Sequence, residues 1–378
     1  MGVNWEALFY TLAMSDAFLE SAFALELCEW FARVRRDLPW RRTEDPYAIW
    51  ISEVMLQQTR VETVIEAYGR FLAAFPDVRA LARADEDEVL ALWSGLGYYR
   101  RARALHRASR EIVERFDGEF PTTRDELLTL SGVGRYTAGA VLSIAFGANE
   151  PLVDGNVARV FSRWFLLEDP LGSGALDRAL WNLAERMLPP AGPRGQGANP
   201  GDWNQALMEL GATVCKPTSP ACGVCPAARH CRAYAVGRAE ELPKKKPKRA
   251  PTPVTLEMLL VRSDEAVLLV QRPKDGRMAG LWEPPTREVE TEHLWPTEFE
   301  TTRLASGYEI EERVVLRLKH SITRYAIEAH VALASATGAP DPAGAPARWF
   351  RSDELARVGL TGLAKKVLRR APLNQSPA

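Results

Sequence analysis

No stretch of this chain stays apolar for the roughly eighteen residues a membrane-crossing helix needs. Near the start, Glu6, Asp16, Glu20 and Glu26 interrupt every hydrophobic run and no basic segment precedes one, so neither a secretion signal nor a membrane anchor is expected. An excess of charge is missing too. The 48 Lys and Arg are matched by 49 Asp and Glu, giving a formal net charge of −1, so bulk charge cannot hold the chain to a polyanion. Local basic surface must do so. Two clusters qualify, Arg33, Arg35, Arg36, Arg41 and Arg42, then Arg100, Arg101, Arg103, His106, Arg107 and Arg110, although charge alone favours a solvated helix face for each. Cysteine is scarce, with five in 378 residues and four of those between 215 and 231, which argues against a disulfide framework in a chain this large. A metal site in a reducing cytoplasm fits better. Cys28, at helical spacing in "FALELCEWF", reads as a buried structural thiol.

With 46% hydrophobic and 26% charged residues the composition is that of a globular protein, and the length suffices for two or three domains with their own cores. Up to residue 235 the pattern is helical. "FLESAFALELCEWFARVRR" and "DRALWNLAERML" place apolar residues three and four apart. In "EDPYAIWISEVMLQQTRVETVIEAYGRFLAAF", Asp45 stands where a helix opening on Pro46 needs its cap. "EDEVLALWSGLGYYRRARALHRASREIVERF" reads as two helices about a glycine turn, and "RDELLTLSGVGRYTAGAVLSIAFG" as helix, glycine hairpin, helix. The glycine- and proline-rich "PPAGPRGQGANPG" is expected to be a mobile loop. At "LPKKKPKRAPTP", five basic residues and four prolines mark an extended linker. Beyond it "VTLEMLLVRS", "AVLLVQRP", "RVVLRLKHSIT" and "AIEAHVALAS" read as strands, and "TGLAKKVLRR" as a closing helix. The expected fold class is multidomain: an extension over 1–22, an all-α domain over 23–235, a basic linker over 236–253 and an α+β domain over 254–378.

Four features carry chemistry. Gly132 and Gly134 in "SGVGRYTAG" leave backbone N–H groups free at a helix start, which suits a phosphate oxygen; an ordinary turn would need the same glycines. Glu53 is surrounded by Ile49, Trp50, Ile51, Val54, Met55 and Leu56, where a desolvated carboxyl becomes a proton donor near neutrality. Periodicity equally allows a solvated stripe of Glu53, Gln57 and Arg60. Asp154 in "EPLVDGNVARVFSR" reads most simply as an N-cap, or else as an ionised carboxylate at the mouth of a cleft, with Asn156 able to support either. Cys215, Cys222, Cys225 and Cys231, spaced C-x6-C-x2-C-x5-C, supply four thiolates to zinc or a cubane iron–sulfur cluster; spacing alone favours zinc, the commoner occupant.

"LPWRR", "SEVMLQQTRV", "GLGYYRRARAL", "GVGRYTAGA", "VDGNVARV", "NQALMELGA" and the cysteine pattern occur in order across about residues 30 to 235. Together they resemble the adenine DNA glycosylases, within the helix-hairpin-helix glycosylases that include endonuclease III. The resemblance implies a [4Fe–4S] cluster on the four cysteines, and double-stranded DNA holding adenine opposite 8-oxoguanine or guanine as partner, bound by a monomeric cytoplasmic enzyme associated with the nucleoid. It implies that adenine is flipped from the duplex into a pocket. Glu53 then matches the general acid that lets adenine leave as a neutral base, and Asp154 the carboxylate that steadies the oxocarbenium-like sugar. Tyr136 and Asn156 match residues supporting those acids, and Trp40 and Arg41 fall where the family builds its adenine pocket. Gln58, Thr59, Leu96 and Tyr98 match positions that fill the duplex gap and touch 8-oxoguanine, Tyr98 by stacking into an opened base step.

Two departures matter. Where the endonuclease III branch has a lysine nucleophile, this chain has Tyr136, and a phenol cannot form a Schiff base, so glycosylase activity without strand cleavage is expected. The C-terminal domain resembles the Nudix-like domain of the family through "VLLVQRPKDGRMAGLWEPPT" but has no Nudix box, so recognition is expected of it and not pyrophosphate hydrolysis. Its loop reads "HSITR" where the family has His-x-Phe-Ser-His: Thr323 keeps the hydroxyl, while Ile322 and Arg324 replace the aromatic residue and the second histidine. The rival readings are a bifunctional pyrimidine glycosylase/lyase, opposed by Tyr136 and Glu53, and a non-catalytic DNA clamp, which would need neither Glu53 nor Asp154.

Overall fold

A computed structural model describes residues 23–190, 198–245, 250–263, 266–273, 278–289, 308–322, 324–336 and 346–371. The expected extension over 1–22, residues 191–197 of the glycine-rich loop, 246–249 of the linker and Thr323 lie outside the described residues. The chain forms two compact units, Met1–Ala82 with Arg107–Pro247, and Arg83–His106 with Lys248–Ala378. The segment Arg83–His106 falls inside the span expected as one helical domain, yet it clusters with the C-terminal residues.

In chain order the helices are α1 (23–34), α2 (Pro46–Leu56), α3 (Val61–Ala74), α4 (Val78–Arg83), α5 (Glu86–Leu92), α6 (Arg100–Phe116), α7 (Arg124–Leu128), α8 (Arg135–Phe146), α9 (Gly155–Trp164), α10 (Gly174–Arg186), α11 (Pro200–Thr213) and α12 (Arg232–Ala235). Asp45 caps α2, accepting from the Tyr47 N–H at 3.0 Å, and Pro46 opens the helix. Every residue from Tyr47 to Met55 is buried, so α2 is a central helix and has no solvated stripe. The Glu53–Gln57–Arg60 stripe allowed by periodicity does not form: Glu53 is buried, Gln57 half-buried, and Arg60 is the exposed residue preceding α3.

The core of this first unit gathers Phe31, Ile49, Leu152, Phe161, Trp203, Leu207 and Leu210 from α1, α2, α9, α11 and the segment before α9. Each such side chain contributes about 1.5–3 kcal/mol on leaving water. Two glycines set the spacing. A Cβ on Gly139 of α8 would meet the Pro151 carbonyl at 2.1 Å, and one on Gly211 of α11 would meet Asn156 Cβ at 2.5 Å. Buried Asn204 joins the same parts, donating to Ser143 Oγ at 2.9 Å and to the Glu150 carbonyl at 2.9 Å. The start of the expected linker is not free chain: Leu242 is buried, and its carbonyl accepts from Arg163 Nε at 2.9 Å.

The second unit holds a mixed sheet of β1 (Thr252–Ser263), β2 (Ala266–Gln271), β3 (Trp282–Glu283), β4 (Thr286–Val289), β5 (Tyr308–Ile322), β6 (Tyr325–Ala336) and β7 (Ala347–Arg351), followed by α13 (Gly362–Arg370). Its order is β3-β2-β1-β6-β5, with β4 also on β1 and β7 on β2. Only β1 and β6 are parallel, with Thr255 opposite Glu328. Alternate residues feed opposite faces. Met258, Leu260 and Val331 pack with Leu363 and Val367 of α13, while Leu259, Val261 and Ala332 form a cluster of their own. The expected fold class, an all-α domain joined to an α+β domain, is the one observed.

Candidate active site

Glu53 lies on the last full turn of α2 and is only 5% exposed. Burial is the main reason its carboxyl rises to about 7; the Asp154 carboxylate adds to the rise, while the hydrogen bond from Tyr136 and the charge of Arg41 oppose it. The Tyr136 hydroxyl donates to Glu53 Oε2 and also lies 3.6 Å from Met208 Sδ. Burial, followed by the neighbouring Glu53 and Asp154, pushes the Tyr136 phenol well above its ordinary value, so it stays neutral.

Asp154 is the N-cap of α9, as its simplest reading required, accepting from the N–H of Asn156 at 2.9 Å and of Val157 at 2.7 Å. Its second oxygen accepts from Asn156 Nδ2 at 2.8 Å. Burial leaves its carboxyl above the ordinary value, although these hydrogen bonds, Arg159 and a helix N-terminus that favours an anion all oppose the rise. Burial raises both carboxyls, but they differ in their donors: among the described residues Glu53 accepts from Tyr136, while Asp154 accepts from three N–H groups.

Both line one cavity of about 620 Å³, together with Trp40, Arg41, Gln58, Thr59, Gly132, Gly134, Tyr136 and Asn156. That volume falls in the range of small-ligand pockets. Ten of the expected site residues, from four separate stretches of sequence, are thus brought together. Glu209 of α11 joins them unannounced. Its fully buried carboxylate is gripped by Arg36 at 2.8–2.9 Å and by Arg41 at 2.8 Å. Burial alone would raise the Glu209 carboxyl, but the two guanidinium groups hold it down at about 2. The available signal was a lone carboxylate within "NQALMELGA", on a helix whose other positions are almost all buried.

Gln58, exposed after α2, takes a left-handed φ of 58°. Gly134 caps α8 with its own N–H groups unclaimed by any side-chain cap, and Gly132 turns with φ 74°. Leu96 and Tyr98 belong to the second unit and do not line the cavity; Leu96 is 4% exposed and Tyr98 39%. Thr323 lies outside the described residues.

Cys215, Cys222, Cys225 and Cys231 are all reduced and line one small cavity. Among the described residues no three His, Cys, Asp or Glu side chains are arranged to hold a metal ion. The loop is braced from α9. Arg163, 1% exposed, donates to Cys215 Sγ at 3.2 Å and to the Lys216 carbonyl at 2.8 Å. One turn earlier, Arg159 donates to the Cys215 carbonyl at 2.7 Å and to Asn156 Oδ1 at 2.8 Å. Sequence patterning missed both arginines, because an "ARVFSR" helix reads as exposed on its charged side. Among the described residues no helix is long and apolar enough to cross a membrane.

Comparison with known proteins matches residues 51–186 to the HhH-GPD superfamily base excision DNA repair proteins and residues 257–370 to the NUDIX domain. An adenine DNA glycosylase of Mus musculus is 36% identical across 94% of this chain and 79% of its own length. That of Homo sapiens is 34% identical across 92% and 74%. Among solved structures, a thermostable thymine-DNA glycosylase superposes with a TM-score of 0.50 at 30% identity, covering 57% of this chain and 97% of its own. With relatives this similar over nearly the whole of this chain, and the buried Glu53 sharing one cavity with the half-buried Asp154, the chain belongs to the adenine DNA glycosylase family.

Proposed function

We infer that this protein, acting as a monomer on DNA in the cytoplasm, removes adenine mispaired with 8-oxoguanine or guanine from double-stranded DNA, without cutting the strand. The observation carrying this is the Glu53 carboxyl, buried against Tyr136 and raised to about 7 on a cavity it shares with Asp154. The hairpin N–H groups after Gly132 and Gly134 grip the phosphate backbone. Gln58, Thr59 and Tyr98 occupy the duplex gap, and the flipped adenine enters between Trp40, Arg41 and Glu53. Glu53 gives its proton to the leaving base, which takes the electron pair of the N-glycosidic bond. Asp154, held by Asn156 and the α9 N-terminus, faces the cationic sugar. Water then adds to the sugar carbon and releases a proton, completing a hydrolysis.

Tyr136 cannot supply the amine that a strand-cleaving mechanism needs. The four cysteines fit a [4Fe–4S] cluster by donor chemistry: four thiols, none in a disulfide, share one cavity on one loop. Cys215, Cys222, Cys225 and Cys231 would hold the cluster, and that ligation would cross-link the loop carrying Lys216, a residue suited to meet phosphate. The Nudix-like domain serves recognition of the base opposite. The deciding experiment is single-turnover excision on duplexes holding adenine opposite 8-oxoguanine, guanine or thymine, with wild type and Glu53→Gln. Full activity in the glutamine variant overturns the acid assignment, and borohydride trapping of the wild type on DNA overturns the monofunctional one.

A further inference from the structure

Within residues 95–98 three backbone positions are left-handed: Gly95 at φ 99°, Gly97 at 68° and Tyr98 at 47°. Glycine adopts these angles freely, but a tyrosine holds one only where its surroundings leave no alternative. Those surroundings converge on one side chain. Arg101 Nη2 donates to the Leu96 carbonyl at 3.1 Å and to the Gly97 carbonyl at 3.2 Å. Its guanidinium lies 5.3 Å from the Trp93 ring and 5.6 Å from the Tyr98 ring. Trp93 Nε1 also donates to the Gly97 carbonyl at 3.0 Å, and the Arg101 N–H to the Tyr98 carbonyl at 2.9 Å. Arg101 is 8% exposed, so the cation that charge counting grouped with a basic surface cluster is turned inward.

We propose that Arg101 is a positioning residue for mismatch recognition, clamping the 95–98 turn so that Tyr98 is presented ready to enter the duplex. This rests on the reading of Tyr98 as the side chain that stacks into an opened base step. The geometry selects arginine over lysine. Nη2 alone reaches the two successive carbonyls, as an ammonium could, so the preference lies with the rings: a broad, weakly hydrated guanidinium stays close to both Trp93 and Tyr98, where a compact, strongly hydrated ammonium does not. Burial draws the guanidinium down to about 10, so the site accepts a cost in solvation to keep a cation there. Free of the clamp, the turn samples other conformations, and the bound form must be selected from a smaller population.

The test compares wild type, Arg101→Met, Arg101→Lys, Tyr98→Ala and the Tyr98→Ala/Arg101→Met double variant. Affinity is measured for an undamaged duplex and for one holding uncleavable 2′-fluoroadenosine opposite 8-oxoguanine, alongside single-turnover excision. Arg101→Met is expected to weaken mismatch binding about tenfold, leave the undamaged duplex within about twofold, and add nothing once Tyr98 is alanine. Arg101→Lys falls between. Additive losses in the double variant, or equal losses on both duplexes, overturn the proposal. Should Arg101→Met fail to fold, Arg101→Lys with and without Tyr98→Ala carries the same comparison. A wild type that excises no adenine from any duplex sinks the glycosylase reading itself, whatever the Arg101 variants do.

Discussion

Glu53 and Asp154 carry the same functional group, and the proposed reaction gives them different work because their hydrogen-bond donors differ. Glu53 has a value of 4.5 in an unfolded chain and about 7 when folded, so the folded state binds the extra proton. Stability credited to Glu53 is therefore complete below about 4.5 and is lost as pH rises through about 7, a swing on the order of 3 kcal/mol. Glu53→Gln lacks that loss. Its melting temperature is expected to match wild type near pH 4.5 and exceed it near pH 8, while excision falls about 100- to 10,000-fold. Wild-type excision itself should decline as pH rises through about 7, because the acid loses its proton. Asp154→Asn separates the two readings of that residue: asparagine caps a helix as well as aspartate, so melting should change little while excision collapses. A melt lowered in proportion to the lost activity would make Asp154 a cap and nothing more.

The elements that matter most are α8, α9 and α11, which meet through glycines. Gly211 leaves room for Asn156, the residue that holds both Asp154 and Arg159. Gly211→Ala puts a methyl 2.5 Å from Asn156 Cβ, so the start of α9 must move. The expected cost is about 1–3 kcal/mol in stability. Excision should fall about 100-fold, since small displacements of a reacting group are amplified. Chemical denaturation and single-turnover rates measure the two effects; unchanged excision would show that α9 tolerates the shift. The helices themselves were legible. Asp45 and Pro46 announce α2, and the glycines at 132 and 134 announce the hairpin. That every side of α2 is buried was not, because its residues carry no sharp apolar stripe.

Across the whole molecule, charge has to be used sparingly. With a net charge of −1 and Arg41, Arg101 and Arg163 all turned inward, fewer cations face DNA than the sequence count suggests. Arg324, at the exposed end of the β5–β6 pair, stays outside. Its guanidinium lies 5.1 Å from the Tyr325 ring and donates to the Tyr325 hydroxyl at 3.0 Å. If it contacts phosphate in place of the family's histidine, Arg324→Ala should weaken duplex binding and reduce the slope of log affinity against log salt by about one. Affinities between low and moderate salt decide this, and an identical slope removes Arg324 from the interface.

Local order determined which segments become helix or strand and where candidate chemistry lies: caps, turn glycines, clustered thiols and the apolar runs of β1 and β2 depend on near neighbours in the chain. Tertiary structure decided what those residues can do. Proton affinity depends on how much water is removed and which charges stand opposite. For Glu53 both come from α8 and the cap of α9, some hundred residues away. The same holds for Glu209, whose charge is fixed by arginines from the other end of the helical unit. It holds again for Arg163, drawn inside by the cysteine loop that packs over α9.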